Sequence, residues 1–234
     1  MTLRALRIAA LDPLDIAREL LAQAYGLKGD LTRLGGENLN LLVDVPSGDR
    51  YVLKIQSREH DALSQLELSA SAHVARLMPD LATPRAIPDT AGDAVVHAET
   101  PAASISARLL EYIDGVPWYE GGGASVETLC DLGRVLAEVD RALESFDHPA
   151  AHRTHGWDLT AAGQHRHKIS AIDSPERRLL AERLFQHWAA AESRLASLPQ
   201  SVIHGDVNDE NVLVDGGAVI GLLDFGDALV NPTV

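Results

Sequence analysis

The sequence predicts an α+β fold in two lobes, on three observations. Through Ile113, short apolar segments alternate with glycine-bearing turns, the texture of an antiparallel sheet. One long helical stretch interrupts that pattern. Beyond Gly115, apolar residues recur at helical spacing instead. The reading places a first lobe at 1–113, a five-stranded antiparallel sheet with one inserted helix, and a second, mainly helical lobe at 114–234. The 234 residues suffice to bury a core, in one large domain or two small lobes.

A helix is expected from Pro13 to Tyr25. Asp12 can cap it, Pro13 suits its first turn, and Gly26 can end it. Leu31–Leu34, Leu39–Val43 and Tyr51–Ile55 then read as three strands. They are joined by Gly35-Gly36-Glu37-Asn38 and by the turn Pro46-Ser47-Gly48-Asp49. A helix over Asp61–Leu77 precedes two more strands, Ala94–His97 and Ser104–Tyr112. Ser125 can cap a helix reaching Glu144, with Leu129, Leu132, Leu136, Val139 and Leu143 on one face. Ser174-Pro175 opens another, to about Ala196, with Leu180, Leu184 and Trp188 in step. Three short apolar pieces follow, Val202-Ile203, Val212–Val214 and Val219–Leu223, set to present loops. The run Gly121-Gly122-Gly123 reads as a surface loop.

Charge and composition exclude several classes. A formal charge of −14 argues against nucleic acid and anionic membrane as partners, since phosphate contacts need a basic surface. The single cysteine, Cys130, permits no internal disulfide and fits the reducing cytoplasm; beside the stripe of its helix, it is expected to be buried. No apolar run approaches the ~18 residues of a membrane span. Asp12 and Asp15 interrupt the opening stretch, which does not read as a signal peptide.

Chemistry concentrates in His204-Gly205-Asp206-Val207-Asn208-Asp209-Glu210-Asn211 and in Asp224-Phe225-Gly226-Asp227, each flanked by apolar strand pieces. Phosphoryl transfer needs such a set. Asp206 can accept or orient the proton of an attacking hydroxyl. Asn211 and Asp224 supply oxygen ligands for Mg²⁺, which keeps water and phosphate oxygens for its other positions. The cation for the phosphates is Lys54, in the apolar strand Val52-Leu53-Lys54-Ile55. Glu67 can pair with Lys54, with Glu59 as the alternative partner. Gly35 and Gly36 either cradle phosphates or merely turn the chain. No GxxxxGK[ST], GxGxxG after a strand, or GxSxG occurs.

His204-Gly205-Asp206, Asn211 five residues on, and Asp224-Phe225-Gly226 together resemble the aminoglycoside phosphotransferase and choline kinase superfamily. The resemblance covers nearly the whole chain and implies a two-lobed protein-kinase-like fold. It also implies that Gly35 and Gly36 lie at the nucleotide loop, that Lys54 contacts phosphate, and that Glu111, Tyr112 and Ile113 form a hinge whose backbone bonds the purine. Ser145–Ala150, Trp157-Asp158-Leu159, Asp224–Asp227 and Asn231-Pro232 are similar to the hydroxylysine kinase branch. That branch implies ATP or GTP as donor, a small amine-bearing hydroxyl acceptor, and fusion to or association with an aminotransferase. An aminoglycoside-modifying enzyme and a nucleotide-binding module without turnover are the alternatives. Superfamily members continue with helices beyond the Asp-Phe-Gly segment, so the resemblance implies that the second lobe is incomplete at Val234 and exposes an apolar face.

Other residues carry competing readings. His204 is either a base or a loop-shaping residue. Trp157 and Asp158 either touch the acceptor or form a capped helix start under an aromatic plug. His165 with His167, and His152 with His155, lack a third ligand at metal spacing.

Overall fold

The computed structural model describes residues 5–36, 38–121 and 125–233. Glu37, together with Gly122 and Gly123 of the glycine run, lies outside the described residues.

The first part of the chain builds one mixed sheet. Its strands are β1 (Ala5–Arg7), β2 (Asp30–Arg33), β3 (Leu39–Asp44), β4 (Arg50–Ser57), β5 (Ala86–Ile87), β6 (Val96–Glu99) and β7 (Ser104–Glu111). The order is β1-β6-β7-β4-β3-β2, with β5 also on β7, and all pairs are antiparallel except β1 with β6. The expectation of five antiparallel strands is therefore corrected to seven strands, one of them parallel. Strands of two and three residues are too short to carry a period-two pattern. They are stabilised by the neighbours they pair with.

Alternation along β4 and β7 sorts side chains onto two faces. Leu53, Ile55, Ala107 and Leu109 join Leu41 and Val43 against a helix that runs as α1 (Pro13–Leu20) and finishes in a π turn, Leu21–Tyr25. Asp12 caps α1 by accepting from the Leu14 and Asp15 amides. The opposite face carries Lys54, Gln56, Ser106 and Arg108 under α2 (Asp61–Leu77), whose Ser64, Glu67 and Ser71 are buried. One side of the sheet is thus an apolar core, and the other is a buried polar layer.

The polypeptide then crosses through β8 (Val116–Pro117) into smaller sheets and helices. Val212–Asp215 (β10) and Ala218–Leu222 (β11) form a hairpin, with β8 on the free edge of β10. Gln200–Ile203 (β9) pairs with Leu229–Pro232 (β12). The helices are α3 (Val126–Leu143) and α4 (Pro175–Leu195), with a 3-10 segment over Leu159–Ala171. Ser125 and Ser174 cap α3 and α4 as their positions predict. The face that α3 buries is Thr128, Val135, Val139, Ala142 and Leu143. It packs against Val74 of α2, the hairpin and Phe225. The expected stripe is rotated, so Leu129 is half exposed and Cys130 is exposed instead of buried.

No residue of α4 is buried, and Leu179, Leu180 and Leu184 are each about half exposed. Its anchor is Trp188, whose Nε1 donates to the Leu159 carbonyl at 2.7 Å. Among the described residues, no helix is long and apolar enough to cross a membrane.

Candidate active site

One antiparallel pairing, β10 with β11, sets the geometry of the site. Val212 pairs with Leu222 at the mouth of the β10–β11 hairpin, and the Leu223 amide donates to the Asn211 carbonyl at 2.8 Å. Asn211 and Asp224 therefore leave the same end of one hairpin. The loop after β9 is stitched to that end by His204, whose Nε2 donates to the Leu223 carbonyl at 2.8 Å. The ring's Nδ1 accepts the Asp206 amide at 3.3 Å and packs 4.6 Å, centroid to centroid, from Phe225. Both nitrogens are used by a neutral imidazole, and burial holds the His204 pKa below its ordinary value. His204 is thus the loop-shaping residue of the two alternatives.

Gly205 has to be a glycine. Its φ is +84°, and a Cβ would lie 2.3 Å from the Asp227 carbonyl oxygen. This contact lets the Asp206 loop and the Asp224 loop lie against each other. Asn211 Nδ2 donates to the Asp206 carbonyl at 2.9 Å and to its Oδ2 at 3.1 Å. Asn208 Nδ2 reaches both carboxylate oxygens of Asp206 at 3.1 Å. Asp224 itself sits at φ 56°, the left-handed region, which costs a non-glycine residue on the order of 1 kcal/mol. The Gly226 amide supports it by donating to Oδ1 at 3.3 Å.

Lys54 approaches Asp224 from the sheet. Its Nζ lies 2.7 Å from Glu67 Oε1 and 3.0 Å from Asp224 Oδ2. Glu67 is the partner, and Glu59, the alternative, stays on the surface. Burial works against the lysine charge, but the carboxylates of Glu67 and then Asp224 outweigh it, and the Lys54 pKa stands above its ordinary value. Asp224 behaves reciprocally. Burial alone would raise it, and Lys54 brings its pKa below the usual carboxylate value.

Above these residues opens a cleft of ≈ 320 Å³. Of the sequence candidates it gathers Gly35, Gly36, Lys54, Glu111, Tyr112, Ile113, Asn211 and Asp224 along one lining. Glu67 lies behind Lys54, with its side chain 4% exposed, and Asp206 stands outside this lining on the neighbouring loop. Gly36 has φ +103°, and a Cβ there would sit 2.7 Å from Asn40 Nδ2, which donates to the Gly35 carbonyl. In the stretch expected to form the hinge, the Glu111 amide is taken by the Arg85 carbonyl and the Tyr112 amide by the Arg50 carbonyl. No described residue takes the Ile113 amide. Arg50 stacks 4.1 Å from the Tyr112 ring centroid and pairs with Asp114, bracing this stretch from outside.

The donors suit a hard cation. Asp224 offers a carboxylate, and Asn211, its Nδ2 spent on Asp206, offers an amide oxygen. Among the described residues, no group of three His, Cys, Asp or Glu could hold a metal. A Mg²⁺ here would need phosphate and water oxygens to complete its shell.

Sequence reasoning missed three contributors. Arg108 is 4% exposed and bonds Glu67, Ser64 and Gln56. The signal was present in the polar alternation Ser104, Ser106, Arg108 across from Lys54 and Gln56. Asn208 orients Asp206. Arg153 donates to the carbonyls of Ala228 at 2.7 Å and Gly226 at 3.0 Å, propping the Asp224–Asp227 turn. His155 lies 3.0 Å from Asp227, His152 pairs with Asp147 at 2.6 Å, and the His167 ring contacts the Gln164 carbonyl. Asp158 is nearly buried, where it accepts from Thr160 and Asn231, so it caps the 3-10 segment. Trp157, 67% exposed, plugs nothing.

Comparison with known proteins identifies the family and the fold. Residues 30–234 match the APH phosphotransferase enzyme family. The chain is 28% identical over 197 residues to a hydroxylysine kinase of Mus musculus, covering 76% of this chain and 52% of that protein. It is 27% identical over 196 residues to a homoserine kinase of Gluconobacter oxydans, covering 82% and 58%. The chain spans about half the length of the curated relatives it matches. Among solved structures, an amicoumacin kinase in complex with AMP-PNP and Ca²⁺ superposes with a TM-score of 0.68 at 15% identity, over 94% of this chain and 66% of that one. That likeness establishes the two-lobed kinase-like fold.

Proposed function

Because the chain belongs to the APH phosphotransferase enzyme family, we propose that it transfers the γ-phosphoryl group of a nucleoside triphosphate, ATP or GTP, to a hydroxyl of a small amine-bearing metabolite. The observation that carries this reading is the convergence of Lys54 and Asp224, 3.0 Å apart, at the floor of the cleft that Gly35, Gly36 and Glu111–Ile113 border. One cation, one carboxylate and one amide oxygen meet where a polyphosphate would lie.

In this reading Lys54, held straight by Glu67, contacts the phosphates. The glycine turn lets the backbone approach them. The Ile113 amide is a donor for a purine edge. Asn211 and Asp224 would hold Mg²⁺, which supplies charge neutralisation for the phosphates. Asp206 takes the proton of the attacking hydroxyl as the phosphoryl group leaves the nucleotide. Its carboxylate is already aimed by Asn208 and Asn211. The barrier falls mainly through positioning and electrostatic stabilisation, as phosphoryl transfer requires.

The acceptor class rests on two supports. Hydroxylysine and homoserine, the substrates named for the two relatives, are amino acids bearing a hydroxyl. The net charge of −14 also favours a cationic acceptor over an anionic one.

The test is Asp206→Asn, assayed for phosphoryl transfer to a panel of hydroxy amino acids and amino alcohols. Transfer is expected to fall by about 10³-fold, with Mg-nucleotide affinity nearly unchanged. Full turnover in the variant would remove Asp206 from the proton-accepting role.

A further inference from the structure

Lys54 on β4 and Arg108 on β7 are directly opposed in register, and both point into the polar layer under α2. Like charges facing each other across a strand pair repel. Both are sheltered, with side-chain exposures of 13% and 5%, where an unpaired charge is strongly disfavoured. One carboxylate lies between them. Glu67 gives Oε1 to Lys54 at 2.7 Å and Oε2 to Arg108. Arg108 is locked in place by Ser64 Oγ at 2.9 Å and Gln56 Oε1 at 3.2 Å, while Gln56 also donates to Ser64 at 2.6 Å. With Asp224, whose side chain is half exposed, against Lys54, the cluster holds two cations and two carboxylates.

This balance has a consequence once phosphates enter. If Lys54 were the sole counterion of Glu67, its charge would be divided between the carboxylate and the ligand. We propose that Arg108 is a positioning residue. By neutralising Glu67 permanently, it leaves Lys54 free to spend its charge on the phosphates of the nucleotide. The role rests on the phosphotransferase reading above. It is electrostatic as well as structural, because Arg108 lies outside the cleft lining and acts on the ligand without touching it, through Glu67 and Lys54.

The experiment compares binding of Mg-ADP and of adenosine to the unsubstituted chain, Arg108→Gln and Arg108→Lys, with thermal unfolding of each. Adenosine carries no phosphate, so it reports on the cleft alone. Arg108→Gln is expected to weaken Mg-ADP by roughly tenfold or more while adenosine changes less than about twofold. Arg108→Lys, which keeps the charge but loses the fork to Ser64 and Gln56, should retain most of the preference for Mg-ADP. If Arg108→Gln does not fold, Arg108→Lys decides. A preference for Mg-ADP kept despite a lowered Tm supports the proposal, and its loss overturns it. Equal weakening of both ligands in Arg108→Gln, or of neither, also overturns it and leaves the phosphotransferase reading standing. Failure of the unsubstituted chain to bind these ligands and their guanine counterparts, Mg-GDP and guanosine, would sink that reading, and this inference with it.

Discussion

The Nε2 of His204 lies 2.8 Å from the Leu223 carbonyl oxygen, and this one bond ties the loop of Asp206 to the hairpin end that carries Asp224. The ring can serve both loops only while Nδ1 is free to accept the Asp206 amide. A proton on Nδ1 would replace an acceptor with a donor facing a donor.

A pH dependence follows. The folded state holds the His204 pKa below its ordinary value through burial, while the unfolded chain titrates near ~6.5. Above about pH 6.5 both states are neutral and the full contribution is present. As pH falls, the unfolded chain binds the proton first and stability drops, until the folded value is also passed. The limiting slope for one proton is about 1.4 kcal/mol per pH unit. Urea unfolding between pH 8 and pH 5 should show the stability gap between wild type and His204→Gln closing on acidification. Parallel profiles would mean that His204 is not held neutral.

Gly205 and Gly217 make a matched pair. Both have positive φ, +84° and +88°, but a Cβ on Gly217 meets nothing closer than Thr128 Oγ1 at 3.6 Å, whereas Gly205 faces the Asp227 carbonyl at 2.3 Å. Gly217→Ala should cost about 1 kcal/mol from backbone strain alone. Gly205→Ala should cost at least about 2 kcal/mol more, because two backbone segments must separate. Chemical denaturation of the two variants checks this, and equal costs would refute the close approach.

The Lys54–Asp224 pair predicts opposite limbs of pH stability. Asp224 has a depressed folded pKa, so its contribution is present above the unfolded value of ~3.9 and is lost as pH falls through the folded one. Lys54 has a raised folded pKa, so its contribution is present below ~10.4 and is lost as pH rises through the folded value. The stability gap between wild type and Asp224→Asn should be flat through neutral pH and shrink below about pH 4. The gap to Lys54→Met should shrink only above about pH 10.4. A gap to Asp224→Asn that widened in acid would show that the pair is not formed.

Much of the site was legible because its parts are local. His204-Gly205-Asp206, Asn211 and Asp224 fall on the two loops that flank one hairpin, and the pairing of Val212 with Leu222 is a hairpin property. Helix starts were legible for the same reason, since Asp12, Ser125 and Ser174 bond amides two or three residues ahead. Legibility stopped where the deciding partner lay far along the chain. The α3 stripe turned toward Thr128 and Val135 because α2 and the β10–β11 hairpin cover that side, which left Cys130 outside. Arg153 reads as one more surface arginine until its guanidinium is found on carbonyls 73 and 75 residues away.

The sequence by itself determined the chemistry available: a lysine in an apolar strand, a base candidate, two candidate oxygen ligands, and glycines where backbones must approach. Residue type and short spacing specify such things, because a turn or a hairpin is set within a few residues. The tertiary structure alone decided which charges share a boundary. Strand register set Lys54 against Arg108, and α2 brought Glu67 between them. Those contacts join residues 13 to 54 positions apart, and only the packing of helix on sheet makes them neighbours.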